Sequence, residues 1–233
     1  MTRLVFVALL FFTSLTHAAE SALSPAAHTI VLVRHGHYLP DPAADPKLGP
    51  GLSRLGITQA RLVGARLARM SPRFDAFYVS PLQRARDTAA TIAGNFHGRP
   101  FAVVDDLAEC TPPTRDAQVM AGEKPESLAA CQAQLDRVFA KFFHPASGKP
   151  STELLVCHAN VIRYLVIRAM GVDSKAWLAM SIGHASITRI RISANGSIRV
   201  IAVGDVGHLS PSLLTGAVGD AEPSLAIAPP KLP

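Results

Sequence analysis

Residues 29–33 read Thr-Ile-Val-Leu-Val, an unbroken apolar, β-branched run that stops on Arg34-His35-Gly36. A strand with one wet face alternates apolar and polar side chains. A run without alternation is covered on both faces and therefore central. Residues 153–157 (ELLVC) repeat the pattern and end on His158. Amphipathic segments lie between such runs. Residues 53–70 carry Leu55, Leu62, Val63, Leu67 and Met70 on one stripe, with Arg54, Arg61, Arg66 and Arg69 off it and Ser53 as N-cap. A second strand is expected at 74–79. Ser80-Pro81 then reads as an N-cap followed by proline at the first helical position, opening a helix to about residue 93. A third strand is expected at 101–104, an irregular stretch at 109–124, and helices at 126–143 and 161–170. Residues 187–192 and 198–203 flank Asn195-Gly196, the favoured chemistry of a two-residue hairpin turn. Repeated strand–helix units predict an α/β protein, a three-layer α/β/α sandwich with a mostly parallel central sheet.

Both ends of the chain read differently. Residues 1–18 combine Arg3, a nine-residue apolar core at 4–12 and small residues before Ala18, the pattern of a secretory signal peptide. Nine residues fall short of the ~20 that cross a bilayer, so no stable membrane anchor is expected after cleavage, and the location expected is secreted or periplasmic. Residues 28–208 form the expected domain. Residues 209–233, dominated by Pro, Ser, Ala and Gly, are expected to be a flexible tail. The 23 Lys+Arg against 17 Asp+Glu suit an anionic ligand. The basic residues lack an interleaved aromatic platform, which argues against nucleic acid as a partner.

In parallel sheets, ligands bind outside the carboxyl ends of the strands. The first strand ends at Arg34-His35, the second hands over to Ser80 and Arg84, and the fourth ends at His158. A guanidinium matches phosphate oxygens with a fork of donors. A neutral imidazole beside it can attack phosphorus, and a nearby carboxylic acid such as Glu109 can protonate the leaving group. His35-Gly36-His37 could also be a metal pair, but no third ligand is evident in the sequence.

These residues resemble the histidine phosphatase superfamily, phosphoglycerate-mutase-like branch. The resemblance rests on Leu32-Val33-Arg34-His35-Gly36, on Ser80-Pro81-Leu82-Gln83-Arg84-Ala85-Arg86, on Leu107-Ala108-Glu109 and on Cys157-His158-Ala159-Asn160. Four motifs in order span residues 30–209, and within the branch they are most similar to mitochondrial serine/threonine protein phosphatases. The resemblance implies His35 as nucleophile, Arg34, Arg84 and His158 as holders of the phosphoryl oxygens, and Glu109 as general acid, then base. It implies no metal and no cofactor. The implied partner is a phosphorylated substrate, a phosphoprotein or a small phosphoester such as a cell-surface sugar phosphate. An inactive phosphate-binding module is the alternative outside the enzymes. Cys110-Thr111-Pro112-Pro113 after the glutamate departs from the glycolytic mutases and counts against mutase activity. Export would place the chain in an oxidising compartment, where Cys110 and Cys131 are expected to pair and Cys157 to stay a buried thiol. His37 receives no role, and His208 is expected on the surface.

Overall fold

A computed structural model describes residues 26–70 and 73–216. The expected signal segment 1–18, and the tail beyond residue 216, lie outside the described residues. Six strands form one sheet: β1 (His28–Arg34), β2 (Ala76–Val79), β3 (Ala102–Val103), β4 (Ser151–Cys157), β5 (Ile187–Ile192) and β6 (Ile198–Asp205). Their spatial order is β3-β2-β4-β1-β5-β6. β1 to β4 are mutually parallel, and β5 and β6 add an antiparallel hairpin.

β1 lies between β4 and β5, so its side chains meet protein on both faces, as the unbroken apolar run requires. Ile30 and Leu32 pack toward α4 (Pro125–Phe142) and α5 (Ala159–Met170). Val31 and Val33 pack toward α1 (Arg54–Met70) and α2 (Gln83–Ala93). The three-layer α/β/α sandwich follows.

Local differences from the sequence reading have physical causes. The buried face of α1 centres on Gly56, Gln59, Ala60, Val63, Gly64 and Leu67, with small residues at 56, 60 and 64 that allow close packing. A Cβ on Gly56 would sit 2.0 Å from the His37 carbonyl oxygen, so only glycine permits this approach. α2 opens at Gln83, three residues past the expected cap, and the Ser80 hydroxyl both lies 2.7 Å from His158 Nε2 and accepts from Leu82 N at 3.3 Å. β3 is a two-residue exposed edge rather than a core strand. Within the stretch expected to be irregular, Asp116 caps a short helix, α3 (Ala117–Ala121), that buries no side chain. Residues 209–216 are not loose. Gln59 donates to Leu213 O at 2.7 Å and to Thr215 Oγ1 at 2.9 Å, and these contacts hold the segment against the domain.

The register sets the site. Arg34 is level with Cys157, and Val79 with Val156. The residues just beyond, His35, His158 and Ser80, therefore emerge side by side at one sheet edge.

Candidate active site

His35 is buried at the end of β1, where its backbone N–H donates to Cys157 O at 3.0 Å. Its Nδ1 lies 2.8 Å from Gly36 O. A carbonyl can only accept, so Nδ1 carries the proton and Nε2 the lone pair. Arg84 Nε–H approaches Nε2 at 3.2 Å, which requires the same tautomer. Burial, then the neighbouring His158 and Arg34, hold the His35 pKa well below that of a free imidazole. His35 is thus a neutral base with its free nitrogen turned into the site.

Arg84 comes from the first turn of α2, its guanidinium 4.9 Å above the Tyr38 ring. Thr88, one turn on, accepts from Gly36 N at 3.0 Å and ties this helix to the histidine motif. Arg34 reaches the same edge. Burial, with the charges of Arg163 and Arg84 adding to it, lowers its pKa to about 10, which leaves it charged near neutrality.

His158 is fully buried before α5, its ring centroid 5.0 Å from that of His35. Its Nε2 lies 2.7 Å from Ser80 Oγ, whose other bond is accepted from Leu82 N. With Ser80 as the donor to Nε2, Nδ1 carries the ring proton and is itself a donor. Nδ1 has no hydrogen-bond partner among the described residues and lies 3.9 Å from Glu109 Oε2.

Glu109 stands opposite the histidines. Asn160 N donates to its Oε1 at 3.1 Å, and Asn160 Nδ2 donates to Cys110 O at 3.1 Å. Burial raises the Glu109 pKa to about 7, against the pull of Arg34 and Arg84. A carboxyl titrating there can both give and take a proton at neutral pH. Cys110, the next residue, forms a disulfide with Cys131 on α4, with a Cα–Cα distance of 5.7 Å, and Cys157 is a free buried thiol.

All five residues singled out in the sequence thus meet at one edge, and Arg34, Arg84 and the two histidines form a cationic and polar cluster there. Among the described residues no group of three or more His, Cys, Asp or Glu is arranged to hold a metal ion.

The model of the histidine phosphatase superfamily (branch 1) matches residues 30–113 and 111–205. The chain belongs to that superfamily. Serine/threonine-protein phosphatase Pgam5, mitochondrial, of Caenorhabditis briggsae is 35% identical over 202 residues, covering 84% of this chain and 69% of that protein. Its counterpart in Homo sapiens is 33% identical over 195 residues, covering 82% of this chain and 66% of that protein. Among solved structures, a phosphoglycerate mutase from Plasmodium falciparum superposes with a TM-score of 0.56 at 24% identity, covering 79% of this chain and 95% of that one. The alpha-ribazole phosphatase from Shigella flexneri does so with 0.58 at 19%, covering 76% of this chain and 96% of that one. These two show the shared fold.

As a histidine phosphatase, the chain is a metal-independent phosphoester hydrolase. One expectation is overturned. The curated relatives are named as mitochondrial proteins, which contradicts the secreted or periplasmic location read from residues 1–18. The disulfide was expected on the premise of export; the pair forms in the structure although that premise falls.

Sequence reasoning left four histidine phosphatase residues at this edge without a role. Ser80 was placed at the edge and read as a cap, not as a partner of His158. His184, buried, puts its ring centroid 5.3 Å from that of His35. Arg163 on α5 donates to Met180 O at 3.0 Å and to Asn160 Oδ1 at 3.3 Å. Gln59 accepts from His37 N at 2.7 Å. Nothing local in the sequence marks the roles of His184 and Arg163. His37 lies 2.8 Å from Ser53 Oγ, and His208 is half-buried rather than on the surface.

Proposed function

We propose that this histidine phosphatase removes phosphate from phosphoserine and phosphothreonine in proteins, through a phosphohistidine at His35. His35 Nε2 attacks phosphorus, the P–O ester bond breaks, and the departing oxygen takes the proton of the Glu109 carboxyl. The resulting carboxylate then deprotonates water. That oxygen attacks phosphorus, the P–N bond breaks, and inorganic phosphate leaves His35 neutral again. Arg34, Arg84 and His158 Nδ1–H hold the phosphoryl oxygens, where charge builds in both transition states.

The observation that carries this reading is the tautomer of His35. Gly36 O takes the Nδ1 proton, so Nε2 is a nucleophile beside Arg84 without any base having to act first. Two findings support a protein substrate. The relatives are named serine/threonine-protein phosphatases. Within the 109–124 segment the one helix, α3, buries none of its own side chains, which favours an open groove beside the site. Contacts along an extended substrate can be used in the transition state only if the groove admits it.

The test compares kcat/KM for a phosphoserine peptide and for 3-phosphoglycerate, with EDTA present. The expected result is a peptide value at least as high. A clear preference for 3-phosphoglycerate favours a small phosphoester instead, and 2-phosphoglycerate as product would make the chain a mutase.

A further inference from the structure

The Arg34 guanidinium is held from one side. Its Nη1 donates to the carbonyls of Ile182 and Gly216, and its Nη2 donates to His184 Nε2 at 3.0 Å. Arginine carries five N–H donors. Three are committed to protein. The remaining two are the second Nη2–H and Nε–H, and Nε is buried with no partner among the described residues. Both lie on one edge of the planar group and make the fork that takes two oxygens of a phosphate.

His184 is held in turn. Arginine only donates, so His184 Nε2 is an acceptor and Nδ1–H donates to Thr215 Oγ1 at 3.0 Å. Burial, then the charge of Arg34, push its pKa down to about 2, so it stays a neutral acceptor. A carboxylate in its place would hold the same guanidinium but cancel the charge a phosphate needs. His184 N also donates to Thr215 O at 3.0 Å, and Gln59 Nε2 fixes Thr215 Oγ1 at 2.9 Å. Gly216 closes the contact with φ +63. A Cβ there would meet the His184 ring at 2.5 Å and Arg34 Nη1 at 2.9 Å.

We propose that His184 is a positioning residue for Arg34: with Thr215 and Gly216 it turns the guanidinium so that the Nε and Nη2 edge faces the phosphoryl group. Thr215 and Gly216, within the stretch expected to be a flexible tail, thereby belong to the phosphate site. The inference rests on the phosphate-binding role proposed above for Arg34.

Calorimetric binding of inorganic phosphate to the full chain tests it, alongside KM and kcat for an aryl phosphate. Arg34→Ala is the reference variant and weakens phosphate binding. His184→Ala is expected to weaken it roughly tenfold or more, the scale of a lost hydrogen bond to a buried charge, and to lower kcat/KM with it. His184→Gln, whose amide oxygen can accept from Arg34, restores most of the affinity. A merely structural histidine would lower thermal stability in both variants without separating them. Wild-type phosphate affinity in His184→Ala, or no rescue by glutamine, overturns the inference while Arg34→Ala still shows a defect. Unchanged binding in Arg34→Ala contradicts instead the role given to Arg34, and the inference with it. Should His184→Ala fail to fold, Thr215→Val removes the second link at constant shape, and unchanged phosphate affinity in that variant overturns the proposal.

Discussion

Glu109 Oε2 lies 3.9 Å from His158 Nδ1, so a carboxyl and an imidazole share one wall of the site. In the proposed mechanism the carboxyl protonates the leaving oxygen and the imidazole N–H donates to a phosphoryl oxygen. Burial raises the carboxyl pKa to about 7. Phosphorylation of His35 needs the acid form and dephosphorylation the carboxylate. With alkyl phosphates, the rate of phosphoenzyme formation is therefore expected to fall as pH rises through about 7, while the rate of its hydrolysis falls as pH drops below it. Rapid-quench measurement of the two steps from pH 5.5 to 8.5 checks the pair of slopes. Glu109→Gln should lose about 10²–10⁴-fold on alkyl phosphates and less on aryl phosphates, whose leaving group needs little protonation. Equal losses would remove Glu109 from the acid role.

Ser80 is expected to act through His158. Its hydroxyl lies 2.7 Å from Nε2, and as donor there it leaves Nδ1 to donate. Ser80→Ala strips a buried nitrogen of its partner, at a cost to stability of about 1–3 kcal/mol. The expected result is a lower kcat/KM, with the variant still folded. An unaltered kcat/KM would show that His158 needs no such support.

The disulfide between Cys110 and Cys131 ties the Glu109 segment to α4. Closing a loop of this size contributes roughly 3 kcal/mol to stability. Mass spectrometry of the unreduced protein should find one free thiol, Cys157, which burial keeps in its neutral form. Reduction should lower the denaturation midpoint and slow alkyl-phosphate turnover more than aryl-phosphate turnover. Three free thiols in the native protein would refute the bridge.

A second histidine pair gives a pH effect on stability away from the site. His28 is buried on β1, 3.3 Å from Glu153 Oε2, with Nδ1 2.9 Å from His144 O. Burial opposes its charged form, but Glu153 and the His144 carbonyl outweigh it and raise the pKa above 6.5. A folded-state pKa above the unfolded one means stability that is present in full below about 6.5 and lost as pH rises through the folded value. Urea unfolding of the native chain and His28→Gln should therefore differ more at pH 5.5 than at pH 8.5. The opposite order would contradict the assignment.

What could be read from the sequence was what local pattern encodes. The unbroken run before Arg34 fixes a central strand, and the polar residues ending β1 and β4 fall at one edge because parallel strands in register must end together. The rest depends on partners far away in the chain. Ser80-Pro81 carries a helix-start signature, yet the hydroxyl also meets His158, a residue 78 positions on that no local pattern points to, and α2 opens at Gln83. His184 and Arg34 are 150 positions apart, and nothing in either neighbourhood announces the bond. Residues 209–216 have the composition of a tail, but a few bonds from Gln59, His184 and Arg34 order them.

The central claim is that His35 carries the phosphoryl group. It is tested most directly by quenching the enzyme during turnover of a ³²P-labelled phosphoserine peptide and measuring acid-labile, alkali-stable label on the protein. The account predicts such label on His35, and in His35→Ala neither label nor appreciable phosphate release. Label elsewhere, or substantial turnover by His35→Ala, would contradict it.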